Sequence, residues 1–254
     1  MELNTAKSTA TIQSVDRALN ILECFNEQEE YRLSEISQKV GLKNSTAYGI
    51  VHTLEVHGFL AQNPDTGKYR LGLTMFRLGN NLESSLRSLA KISLTSLVSQ
   101  FSETANLSIR SGDYNLYLEK LESPLSMRIS TAQGQLFPLY VTAMGKCMLA
   151  YLSDTEVDDI LSRADFTPLT KNTLTSPEKV KAALVDIRKK GYAIDNEERE
   201  YGITCIAVPI FDGKLNVIAS LSVSGPTMRM TFDKMEGMKD ALKVESAKIT
   251  QQLY

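Results

Sequence analysis

The chain has 254 residues, 43% of them hydrophobic and 23% charged, with a formal net charge of −2. That length suits two domains, and that balance supports a sizeable core while excluding a disordered or polyelectrolyte chain. No apolar run approaches the ~18–20 residues of a membrane span, and the polar start, Met1 to Thr11, lacks the apolar stretch of a signal peptide, so a cytoplasmic protein is expected.

Residues 14–25 place Val15, Ala18, Leu19, Leu22 and Phe25 at helical spacing, with Ser14 as N-cap. After an acidic loop with Glu27, Glu29 and Glu30, Ser34 caps a short helix that turns Ile36 and Val40 inward and ends at Gly41. Asn44 or Ser45 then opens a third helix over about 45–57, with Ala47, Ile50, Val51 and Leu54 as its inner stripe. Its other face carries Ser45, Thr46, Tyr48, Gly49, His52 and Thr53. The stretch FLAQNPDTGKYRLG from Phe59 alternates apolar and polar residues around Asn63-Pro64-Asp65-Thr66-Gly67, which signals a hairpin. Three helices, a tight turn between the second and third, and a closing hairpin predict a winged helix-turn-helix over 1–71.

Such a unit reads DNA by laying its third helix in the major groove. Small hydroxyl- and amide-bearing residues at that helix's start let the backbone approach a phosphate and the side chains reach base edges. The candidate DNA-binding residues are Lys43, Asn44, Ser45, Thr46, Tyr48 and His52, with Lys68 on the wing. For the isolated helix a merely solvated polar face is the competing reading; helix order, turn and wing together favour DNA. Residues 1–70 hold seven Lys/Arg against nine Asp/Glu, so any basic patch here must be local.

Leu, Met and Phe recur through 71–101, which predicts a connecting helix over 72–90 and then the first helix of a second domain, 91–254, with Gly79 as a break. This stripe fits burial within one chain or a dimer seam; paired half-sites ~34 Å apart on DNA favour the dimer. Beyond Thr104, the segments TANLSIR, YNLYLEKLE, ITCIAVPIF and NVIASLSVSG read as strands between helices near 143–152, 154–163, 177–190 and 232–252. Ser153-Asp154-Thr155-Glu156 is a capping box, and Ser176-Pro177 starts a helix with Pro at its first position. An antiparallel sheet flanked by helices follows, which makes the class α+β.

Three local features suggest where a ligand sits. Thr142-Ala143-Met144-Gly145 lies where a loop meets a helix, and backbone N–H groups there favour an anion such as a carboxylate. Ser220, Ser222 and Ser224 share one face of a strand, opposite Leu221 and Val223. Cys205 lies on an earlier apolar strand, and Asp195 follows Gly191-Tyr192-Ala193-Ile194. Each also has an ordinary reading: close helix packing, a solvated strand face, a buried small hydrophobe and a loop acid.

Taken together, SVDRALNILECF from Ser14, the stretch from Leu33 through Gly72, and LFPLYVTAMGKCMLA, GYAIDNEEREYGITCIAVPIF and VIASLSVSGP resemble the IclR family of bacterial regulators over roughly 12–250. Its characteristic positions are Ser45-Thr46, Tyr48, Leu54, Gly58-Phe59-Leu60 and Gly67-Lys68-Tyr69-Arg70-Leu71. The resemblance implies a GAF-like effector domain with a pocket lined by Ala143, Met144, Asp195, Cys205, Ser222 and Ser224. Family members often carry Pro-Lys before the Ser-Thr pair and a basic residue after the Tyr; here Lys43-Asn44 and Gly49 stand there, which predicts an altered operator preference.

The reading is therefore a transcriptional regulator, with repression as the expected sense, holding operator DNA and a small-molecule effector such as a carboxylate, as a homodimer or homotetramer. A winged helix used only for protein contacts is the alternative. Catalysis is not expected: the only histidines, His52 and His57, lie on or beside the third helix, far in sequence from Cys205 and the serines. Nor is a metal or cofactor, since ligand spacings and glycine-rich phosphate loops are missing. Cys24, Cys147 and Cys205 are far apart and suit reduced thiols.

Overall fold

The amphipathic segments of the N-terminal part do form helices, each starting slightly earlier than its expected cap. The computed structural model describes residues 11–26, 28–80 and 85–253, and the chain divides into two units, Met1–Glu83 and Ser84–Tyr254, each described by itself. The first contains α1 (Gln13–Glu23), α2 (Leu33–Lys39) and α3 (Asn44–Val56), then a hairpin of β1 (Leu60–Gln62) and β2 (Tyr69–Leu71), then α4 (Leu73–Asn80). Ile12, Arg32 and Lys43 occupy the cap positions expected for Ser14, Ser34 and Asn44 or Ser45. At α2 the reason is visible: Glu35 Oε2 accepts the Arg32 N–H at 2.6 Å, so the chain turns helical before Ser34. Asn44 is inside α3, and its side-chain Oδ1 accepts from the Ser37 hydroxyl of α2 instead of capping its own helix.

Ile21, Phe25, Tyr31, Ile36, Val51, Leu60 and Tyr69 make the core of this unit, with Phe25 meeting Tyr31 edge-on at 5.5 Å between ring centroids. The face of α1 that packs is set by Ile21, while Val15 and Leu19 stay exposed. In the hairpin, Asn63 Oδ1 accepts from the N–H of Asp65 at 3.0 Å, and Gly67 supplies the left-handed residue (φ 66°) that closes the turn. The connector expected over 72–90 becomes α4, then residues 81–84, which lie outside the described ones, then the start of α5. Gly79 does not break α4 but lies in its last turn.

The second unit runs α5 (Ser85–Phe101), β3 (Thr104–Ser111), β4 (Tyr114–Leu121), β5 (Leu136–Pro138), α6 (Ala143–Leu149), α7 (Asp154–Ser162), α8 (Pro177–Lys190), β6 (Ala193–Asn196), β7 (Ile203–Phe211), β8 (Val217–Pro226) and α9 (Phe232–Leu253). Its six strands form an antiparallel sheet in the order β5-β4-β3-β8-β7-β6. Both expected helix starts hold: Ser153 and Glu156 cap each other at α7, and Ser176 caps α8 ahead of Pro177. Two apolar layers sandwich the sheet. Leu94, Leu97, Met238, Leu242 and Ile249 of α5 and α9 cover the face bearing Leu107, Leu221 and Val223. The opposite face is covered by α6, α7 and α8 through Met148, Ile160 and Leu184. The edge strands β5 and β6 escape a pattern reading because three or four residues carry too little alternation. Among the described residues, no helix is long and apolar enough to cross a membrane.

Candidate functional site

On α3 the polar face is open. Ala47 and Val51 are fully buried, which turns Lys43, Asn44, Ser45, Thr46, Tyr48 and His52 outward as exposed residues. The rings of Tyr48 and His52, one helical turn apart, stack with 3° between planes and centroids 5.9 Å apart. Lys68 lies half-buried beside the wing turn, and Arg70 on β2 adds an exposed cation that pattern reading left out of the site. Asn44 differs from its neighbours, since its side-chain Oδ1 braces the α2–α3 turn by accepting from Ser37.

In the second unit, Ala143, Met144, Asp195, Cys205, Ser222 and Ser224 all line one narrow cavity. These six residues come from four separate elements, α6, β6, β7 and β8. Register explains part of this: Cys205 pairs with Asp195 on one side and Ser224 on the other, so three expected residues form a row across β6, β7 and β8. Alternation along β8 then adds Ser222. Ser220 has the same parity but is absent from the lining, because its hydroxyl donates to Val208 O at 2.8 Å inside the sheet.

The polar groups of the cavity are tightly held. Asn106, fully buried on β3, donates from Nδ2 to Ser222 Oγ at 3.3 Å and Ser224 Oγ at 3.4 Å. Both serine oxygens therefore act as acceptors toward Asn106, and the Ser224 hydroxyl also faces the Cys205 sulfur. Thr131 donates to Asn106 Oδ1 at 3.1 Å, and Ser108 donates to the Met144 sulfur at 3.2 Å. At α6, Thr142 accepts the Gly145 N–H at 2.9 Å. One of the amides expected to be free for an anion is thus already used by the cap, and close packing also operates there: a Cβ on Gly145 would lie 2.1 Å from Leu139 O.

Burial sets the electrostatics. Asp195 is 4% exposed, and desolvation raises its carboxyl to about 6, against the pull of nearby Lys146. Its Oδ1 accepts the Glu198 N–H at 2.8 Å. Lys146 itself is buried, donates to Ile194 O at 2.8 Å and pairs with Glu198, which turns its charge away from the cavity lining. Burial and then the Asp195 charge push the Cys205 thiol up to about 12, so it is a neutral thiol at pH 7. Burial likewise raises the Tyr117 phenol.

Thr142, flagged with the loop-to-helix entry, is in this lining too, whereas sequence reasoning missed Tyr117, Ile129, Thr131, Arg199, Glu200 and Ile203. Arg199 matters most among them, as the guanidinium of the cavity wall; it lies 3.6 Å over the Phe137 ring centroid. Nothing in the acidic stretch around it marks it as a site residue. Among the described residues no group of His, Cys, Asp and Glu has a metal-holding arrangement.

Comparison with known proteins agrees with this two-part layout. The family model for the bacterial transcriptional regulator IclR C-terminal matches residues 82–251, and the one for the IclR helix-turn-helix domain matches residues 14–64. The chain belongs to the IclR family. This IclR-family regulator is 38% identical over 235 residues to the HTH-type transcriptional regulator XynR of Escherichia coli (strain K12), covering 91% of this chain and 93% of that protein. To the transcriptional repressor IclR of the same organism it is 32% identical over 249 residues, covering 96% and 90%. A crystal structure of an IclR homolog complexed with 4-hydroxybenzoate, from Microbacterium hydrocarbonoxydans, superposes with a TM-score of 0.86 at 25% identity, covering 94% of this chain and 98% of that one. The protein is thus a transcriptional regulator with an N-terminal DNA-binding domain, on which α3 lies, and a C-terminal effector domain, which holds the cavity.

Proposed function

We propose that this IclR-family regulator is a cytoplasmic repressor that holds operator DNA through Lys43, Asn44, Ser45, Thr46, Tyr48, His52 and Lys68. In this reading it responds to a small organic acid bound in the cavity of the C-terminal domain. The observation that carries the effector half is the convergence of Ala143, Met144, Asp195, Cys205, Ser222 and Ser224 on one cavity whose wall includes Arg199. A guanidinium and the serine hydroxyls beside it suit an oxyanion, and the Microbacterium homolog is described as a complex with an aromatic acid. Repression is supported by the name of the Escherichia coli relative.

A homodimer or homotetramer is part of the proposal. Ile12 at the N-cap of α1, Val15 and Leu19 within it, and Leu73 and Phe76 on α4 are large apolar side chains left exposed in the N-terminal unit, and exposed apolar surface suits association. Effector can change DNA affinity only by binding two states of that assembly unequally.

Two measurements test the reading. Duplex DNA carrying an operator selected from a random pool should bind with an affinity that falls steeply as salt rises, and T46A/Y48A should weaken it by roughly 100-fold, at ~1–3 kcal/mol per lost contact. Unchanged affinity in that variant would overturn the role of α3. Thermal shift against a panel of acids, amines and neutral metabolites should then single out acids, with the shift lost in R199Q; stabilisation by amines or neutral compounds alone would overturn the acid assignment.

A further inference from the structure

We infer that Glu119 is a positioning residue that couples the wall of the cavity to α5, the helix at the start of the C-terminal unit. The inference rests on the reading that the cavity takes an effector, and it names the route by which occupancy leaves the site.

Strand β4 carries two residues with opposite duties. Tyr117 opposes Ser108, whose hydroxyl reaches Met144 of α6, so Tyr117 faces the cavity. Two residues on, Glu119 would face the same way in a regular strand. The register shifts between Leu107 and Ser108, however, so that Glu119 opposes Leu107. Leu107 packs with Leu94 and Leu97 of α5. A single extra residue on β4 therefore turns Glu119 to the α5 side of the sheet. There Arg87 donates to Glu119 Oε2 at 2.8 Å, and Lys91 lies 3.8 Å from the same oxygen.

The third member of the cluster comes from the cavity wall. Residues 122–135 join β4 to β5 and supply Ile129 and Thr131 to the lining. Thr131 is fixed on the cavity side by its bond to Asn106. Gln133, two residues on, donates its amide to Glu119 Oε1, and its own oxygen lies 3.5 Å from Arg87 Nη2. One short segment is thus held at Thr131 by the polar network that includes Ser222 and Ser224, and at Gln133 by the carboxylate that holds the first turns of α5.

Glu119 is 4% exposed, and a buried carboxylate deprived of one partner must regain another or suffer the full cost of desolvation. A displacement of Thr131 that carries Gln133 with it therefore changes how Glu119 holds Arg87. At its other end α5 has a separate anchor, Ser96 donating to Glu245 of α9 at 3.1 Å. The expected response is thus a change confined to the N-terminal turns of α5.

Amide hydrogen exchange on the full-length protein tests this without ligand or DNA. The reporter is the set of amides from 89 to 95, the first in α5 with helical acceptors. Thr131→Val keeps shape and removes the bond to Asn106; it should speed exchange at 89–95 by about 5-fold or more. In a Q133A background the same substitution should add nothing, and E119Q should likewise silence it, as a double-mutant cycle requires. Unchanged exchange in T131V, or an equal acceleration in the Q133A background, overturns the inference. If T131V does not fold, T131A gives the same two readings. Because no effector enters the measurement, failure of the effector reading leaves this result intact, and the reverse also holds.

Discussion

Two helical glycines show how differently the two units of this protein work. Gly49 lies on the outer face of α3, and a Cβ built on it meets nothing within 4 Å. Gly145 lies at the start of α6, and its Cβ would run into the backbone of Leu139. The open first position suits the proposed reading, in which α3 presents a clear surface to a rigid polymer. The closed second position suits the proposed effector cavity beside it, since enclosing a small ligand needs backbones in contact. Side chains that contact DNA can thus be added or exchanged without disturbing the fold, whereas those around the cavity are also parts of a packed core.

The largest effect should come from violating the closed position. Gly145→Ala is expected to destabilise the protein by about 3 kcal/mol through overpacking, measured by urea unfolding. A loss under ~1 kcal/mol would mean that the Leu139 turn yields easily and that the cavity wall is softer than its packing implies.

Asp195 offers a comparable effect that depends on pH. Its carboxyl is raised from the ordinary 3.8 to about 6 by burial, so the folded state holds the proton more tightly than the unfolded chain. Stability is fully present below about pH 4 and falls as pH rises to about 6, by roughly 3 kcal/mol in all. Asp195→Asn should remove that slope. A wild-type protein with no such slope would show that Lys146 compensates the buried charge more completely than the geometry indicates. Over the same range, D195A should weaken the effector response while operator binding without effector persists.

A smaller change is expected from Ser222→Ala. Removing one hydroxyl from the Asn106 network should cost ~1 kcal/mol of stability and weaken acid binding by roughly 5- to 10-fold at ~1–1.4 kcal/mol for one hydrogen bond. Thermal shift and calorimetry separate the two. The smallest effect belongs to the open position: Gly49→Arg should stabilise α3 by up to ~1 kcal/mol, as a helix former replacing glycine. It should also steepen the salt dependence of DNA binding by about one phosphate contact. An unchanged salt slope would place Gly49 away from the DNA backbone.

Much of this protein is written locally. The stripe Ala47, Ile50, Val51 and Leu54 fits α3 because helical periodicity and the neighbouring turn are short-range properties. Asn63 and Gly67 mark the wing turn, and Ser153 and Ser176 the starts of α7 and α8, through bonds that span only two or three residues. Alternation along β8 separates Ser222 and Ser224 from Leu221 and Val223. Other features depend on partners distant in sequence. Ile21 rather than Val15 or Leu19 anchors α1, since only packing against Val51 and Leu60 selects between two apolar faces of one helix. Arg199 becomes part of the cavity by resting on Phe137, and Asp195 titrates near 6 because other segments bury it. Glu119 faces α5 only because a register shift against β3 reverses its side of the sheet. Periodicity, caps and turn chemistry are encoded within a few residues and so are determined by the sequence alone. The facing of a helix, the phase of a strand across a bulge and the solvation of a charge depend on contacts between remote segments, and only the tertiary structure decides them.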